Sequence, residues 1–152
     1  MDARERARAR ARQHLDRALY LAGLAQDPSL TLRVWNSVSM LAHQQGDHAE
    51  ALAAGQAAKA TAVTRRDPLY ASLAHARTAI AHAHLDEGRQ ALRALDLAAA
   101  SLDKADLALP RPSWIRMRSL LGDFHRDLLT LAPGSAIALD WADRYRTEWS
   151  RP

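Results

Sequence analysis

Apolar residues return every three or four positions along almost the whole chain, the period of a helix with one buried face and not the alternation of a strand. The first stripe is Ala11, Leu15, Ala18, Leu19, Ala22 and Ala25. It predicts a helix from Ala3 to Ala25, capped by Asp2 and ended by Asp27-Pro28. Leu32, Trp35, Val38 (or Ser39) and Ala42 predict a second helix from Leu30 to Gln45, with Gly46 as its left-handed stop. Asp47 then caps a helix from His48 to Thr64 that buries Ala51, Leu52, Ala58 and Ala62, with Arg65-Arg66 at its negative pole. Leu73, Ile80 and Ala81 place a fourth helix over Leu69 to Leu85. Ala91, Leu92, Leu95, Ala98 and Leu102 place a fifth over Arg89 to Asp106.

Beyond the proline-marked stretch Leu107 to Pro112, Ser113 caps a helix from Trp114 to Leu131 carrying Trp114, Met117, Leu121, Phe124 and Leu128. Pro133-Gly134-Ser135 turns the chain into a last helix, Ala136 to Trp149, striped by Ile137, Trp141, Tyr145 and Trp149. The expected fold is therefore all-α, with about seven helices in one domain spanning residues 1–152.

The helices repeat. Asp27-Pro28 recurs forty residues later as Asp67-Pro68, Ala51-Leu52 as Ala91-Leu92, Ala54 as Ala94 and Ala58 as Ala98. The register also runs backwards to Ala11 and Ala18. A fixed period of this size predicts stacked antiparallel helical hairpins. They divide the chain into a basic first helix (1–26), hairpins over 30–64 and 69–106, and a C-terminal capping hairpin over 113–149. In this register Ala51, Ala58, Ala91 and Ala98 should sit buried where helices cross.

Charge changes the picture only at the N-terminus. Of 21 basic residues 19 are Arg, Lys59 and Lys104 being the others, and the formal net charge is +4. Residues 1–17 hold Arg4, Arg6, Arg8, Arg10, Arg12 and Arg17 against Asp2, Glu5 and Asp16, a local excess of +3. Those arginines alternate with alanine and spray around the helix, so a nucleic acid would be met only non-specifically, through phosphates. The absence of Cys removes disulfide and thiol chemistry. No apolar run approaches the roughly 20 residues of a membrane span, and no apolar signal core follows the arginines, so no membrane is expected and the cytoplasm is the expected location. The Arg- and Ala-rich composition suggests a GC-rich, actinobacterial genome.

Trp35, Gly46, Ala51 and Ala58 have the spacing of the signature Trp, turn Gly and crossing Ala of tetratricopeptide repeats, which this stretch resembles. The second hairpin keeps Ala91 and Ala98, with His75 in the Trp position and Asp86 in the Gly position. Ala91 to Asp96 (ALRALD) and Leu109 to Ile115 (LPRPSWI) look like the C-terminal repeat region of actinobacterial transcriptional regulators. The resemblance implies a right-handed superhelix with a concave groove and a regulatory role in protein–protein interaction.

In such a stack the first front helix would present Arg33, Asn36, Met40, His43 and Gln44 to the groove, and the second Leu73, Ala76, Arg77, Ile80 and His84. An apolar floor with two guanidinium groups suits an extended peptide, a partner protein or an acidic side chain, which Arg binds through its planar fork. The expected function is thus non-enzymatic, with a small-molecule or peptide sensor and an unrecognised small enzyme of a biosynthetic pathway as alternatives. A homodimer through the C-terminal aromatic stripe is a further expected association. His75 and His82 share a helix face, and His84 and His43 are expected nearby. Without Cys, a His-Glu-x-x-His motif or carboxylate partners, they predict no metal site. Asp123, His125 and Asp127 read as an ion-paired face and Ser135 as a helix cap, so neither catalytic residues nor a cofactor are expected.

Overall fold

Over residues 2–106 of the computed structural model five α-helices follow one another: α1 (Ala3–Ala25), α2 (Pro28–Gln44), α3 (His48–Lys59), α4 (Pro68–His84) and α5 (Gly88–Asp106). A short 3-10 helix, Ala62–Arg65, links α3 to α4. The structure describes residues 2–106 together with 126, 139, 143, 146 and 147, and no strand occurs among them. Apart from residues 126, 139, 143, 146 and 147, the two helices expected over Trp114 to Leu131 and Ala136 to Trp149 lie outside the described residues, as does the whole aromatic stripe of the second.

The forty-residue register is visible in backbone hydrogen bonds. Asp27 caps α2 by accepting from the amides of Ser29 and Leu30, and Asp67 caps α4 by accepting from that of Leu69. In both cases Pro takes the first helical position, where its missing N–H costs nothing. At the hairpin turns Asp47 N–H donates to Ala42 O at 2.9 Å, and forty residues on Glu87 N–H donates to His82 O at 2.9 Å. The turn needs one left-handed residue. Gly46 supplies it at φ 77° and Asp86 at φ 57°, so the second turn keeps its shape without glycine. Gly88, two residues later, opens α5 instead.

Each helix packs against its neighbours in the chain, and α2 also touches α4. Two small cores run across the middle three helices. One joins Leu32, Ala58 and Ala74, flanked by Trp35, Val63 and Tyr70. The other joins Ala42, Ala51 and Ala81 beside Leu52. Helix α3 lies against both α2 and α4, and its buried residues are all small: Ala51, Ala54, Gly55 and Ala58. At Gly55 the approach to α4 is so close that an added Cβ would stand 2.8 Å from Thr78 Cγ2. Buried serines tie each hairpin internally. Ser39 donates to Ala51 O and Ser72 to Ala98 O, both at 2.9 Å.

Three expectations need correction, the first being Ala62, which was expected buried on α3 and is exposed in the link beyond it. Helix α3 ends at Lys59 and not at Thr64, because Thr hydroxyls there compete for backbone carbonyls. Thr61 Oγ1 donates to Ala58 O at 2.7 Å and Thr64 Oγ1 to Lys59 O at 2.9 Å, tightening the chain into the 3-10 turn. Arg65 therefore ends that turn and Arg66 follows it, and neither sits on the α3 dipole. Of the four crossing alanines, Ala51, Ala58 and Ala98 are buried as expected, but Ala91 is only half-buried; Ala94 and Leu95 carry that crossing.

Helix α1 is the most exposed of the five. Ala22 is its buried residue, while Tyr20, Leu21 and Leu24 face solvent. Among its arginines Arg12 differs from the rest. It reaches across to Glu50 on α3 and pairs with Asp16 at 3.0 Å, and these acceptors, Glu50 first, raise its pKa above the ordinary guanidinium value. Arg4, Arg6, Arg8, Arg10 and Arg17 are exposed.

Candidate functional site

The residues expected to line a groove separate by depth. Arg33, Met40, Gln44 and His84 are exposed; Asn36, His43, Leu73 and Arg77 are half-buried; Ile80 is buried. Where α2 and α4 run side by side, Arg77 Nε donates to Asn36 Oδ1 at 3.0 Å, so one expected groove residue orients another. Beside them a cleft of about 10 Å³ is lined by Ser39, His43, Ala51, Arg77, Ile80 and Ala81. That is the room of a single water molecule. Arg33, Met40, Gln44 and Leu73 lie outside this lining. Arg33 instead adds a weak pull on Asp27, whose carboxyl is held below its ordinary pKa mainly by the Ser29 hydroxyl and the Leu30 amide.

At the end of this cleft three helix termini meet. His43 is in the last turn of α2, His48 is the first residue of α3, and His84 is the last residue of α4. The Gly46 turn folds His48 back onto the end of α2, and the packing of α4 on α2 and α3 brings His84 to both. The His48 and His84 rings stack with centroids 4.2 Å apart and planes 8° from parallel. His43 meets His84 edge-on at 4.7 Å and His48 at 5.4 Å. One nitrogen from each ring lies within 4.8 Å of the others.

The expected histidine neighbourhood was thus partly right. His43 and His84 do meet, but their third member is His48. His82 is bound to Glu87 in the α4–α5 turn. His75 lies half-buried elsewhere on α4, where burial first and the Lys59 charge second lower its pKa. Its Nδ1 is buried without a hydrogen-bond partner. His48 was legible only as a residue following an N-cap, since nothing in its local sequence marks its contact with α4.

No helix among the described residues is long and apolar enough to cross a membrane. In comparisons with known proteins, the chain matches no family model, no curated protein and no solved structure.

Proposed function

We propose that the chain is a non-enzymatic binding module whose α2 and α4 surfaces hold an extended peptide segment of a partner protein, one that carries a carboxylate. The wider architecture belongs to the same reading: a right-handed stack of hairpins like tetratricopeptide repeats, closed by a C-terminal capping hairpin and acting in regulation in the cytoplasm. The observation that supports it is the Arg77–Asn36 bond across α2 and α4. A guanidinium already held at its Nε edge loses less freedom when it meets a carboxylate than a free one does. The single-water size of the adjoining cleft favours a chain lying across the surface over a small molecule enclosed in it. Exposed Arg33 and Met40 extend the surface along α2.

The test is selection from a displayed random-peptide library, followed by binding of the recovered peptides to Arg33→Ala, Asn36→Ala and Arg77→Ala proteins. Acidic peptides should be enriched, and Arg77→Ala should weaken them by about tenfold, the loss of one charge-assisted pair. If all three folded variants bind every recovered peptide as wild type does, this surface is not the working one.

A further inference from the structure

We propose that His43, His48 and His84 form a binding site for one divalent transition-metal ion of the zinc class. Imidazole is a favoured ligand of zinc, nickel, cobalt and copper, and three His with a fourth position left to water is an established coordination pattern for zinc. Here the three rings come from three different helices and already offer one nitrogen each within 4.8 Å of the others. Bonds of about 2.0–2.1 Å in tetrahedral array need nitrogens ~3.3 Å apart. Closing that gap takes ring rotations and sub-helical adjustments. His84 is the exposed member and the last residue of α4.

Two further features favour a cation here. His48 Nδ1 is buried and has no hydrogen-bond partner, a costly state for a polar atom. A metal bound through that nitrogen would supply the missing partner. The C-terminal ends of α2 and α4 also both point their negative poles at the cluster, against the one positive pole of α3. Arg77 lines the same cleft as His43 and directs its Nε to Asn36. The ion would cross-link both arms of the first hairpin to the end of α4, fixing the hairpins relative to each other.

The site is independent of the peptide reading although His43 and His84 border both, so it is tested without peptide. The untagged full chain is stripped with chelator and titrated with ZnCl2 at neutral pH by calorimetry, and its melting temperature is followed in parallel. Cobalt absorption then reports the ligand geometry. One Zn²⁺ per chain and a melting temperature that rises with metal concentration are expected. His48→Gln and His84→Gln should each lower affinity by roughly 10–100-fold or more, since even the outer partners of metal ligands cost that much. His82→Gln should bind like wild type. Because His84 is exposed, its variant should melt as wild type does in the absence of metal, which separates lost binding from lost folding. No stoichiometric zinc uptake by the wild-type chain would overturn the proposal, as would equal uptake by the His48 and His84 variants.

Discussion

Hairpin α2–α3 and hairpin α4–α5 share one backbone plan and fill it with different side chains. Their Asp-Pro starts, turn hydrogen bonds and serine ties correspond. Yet the inner faces differ. Helix α3, held between α2 and α4, is twelve residues long and buries only Ala and Gly. Helix α5, packed on α4, is nineteen residues long and buries Leu95 and Leu102 among Ala94, Ala98 and Ala105. Gly55 of α3 corresponds to Leu95 of α5 in the repeat. At Gly55 the close approach of α3 to Thr78 on α4 leaves no room for a side chain, whereas the corresponding position of α5 buries a leucine. At this position the repeat sets the backbone and the neighbouring helix sets how large the side chain can be.

The largest effect should come from Leu95, which is 1% exposed. Leu95→Ala should cost about 2–5 kcal/mol through lost burial and the cavity left behind, read from urea unfolding. A loss below 1 kcal/mol would show that α5 is not anchored as described.

Next is the other side of the same register. Gly55→Val should cost about 1–3 kcal/mol by overpacking against Thr78. The paired test is Gly55→Ala. It should destabilise the wild-type chain yet be tolerated with Thr78→Ser, which removes Cγ2 and keeps the hydroxyl bond to His75 O. Additive changes in that double mutant would place the close contact elsewhere.

The turns offer a smaller contrast. Gly46→Ala should cost about 1 kcal/mol, because a Cβ is disfavoured at φ 77°. Asp86→Gly should leave stability unchanged or raise it by up to about 1 kcal/mol. If Gly46→Ala were silent, the first turn would not need its left-handed residue.

A difference between the hairpins should also appear as pH dependence. His75 stands where the first hairpin has Trp35, and its pKa in the folded chain lies below the ordinary 6.5. Below that ordinary value the unfolded chain takes up the proton first. Stability is therefore full above pH 6.5 and falls with pH until the depressed folded value is passed. His75→Gln should flatten that slope, and an unchanged slope in urea titrations would assign it to other groups. Smallest of all, deleting residues 1–10 should move stability by less than about 0.5 kcal/mol, since the removed arginines are exposed and Arg12 stays in place. A large drop would give α1 a structural weight its burial does not suggest.

Sequence showed the helices well because their signals are local. Asp27-Pro28, Gly46-Asp47 and Asp67-Pro68 each carry a cap or stop within a few residues, and these boundaries lie close to where they were expected. The end of α3 was hidden because Ala62 continues the apolar spacing while Thr61 and Thr64 pull the backbone away from it. Asp86 looked like a departure from the repeat, but a short polar side chain can occupy the left-handed region that glycine uses elsewhere. The histidine trio depends on which helix ends meet in space, and the packing of α4 on α3 is not a local property. Periodicity found His43 and His84; only the three-dimensional arrangement adds His48 and sets aside His75 and His82.

Packing almost wholly between consecutive helices also has a kinetic meaning. Contacts of small sequence separation require little loop closure before they are rewarded, and helical domains of this kind fold in about microseconds to milliseconds. The described helices can assemble by adding one neighbour at a time to a growing edge, with any adjacent pair as the starting point. The α3–α4 contact at Gly55 and Thr78 is the exception to such freedom, because it joins one hairpin to the next and tolerates little misalignment. A methyl group added at that point would burden the docking of one hairpin on the other, not the closing of either hairpin.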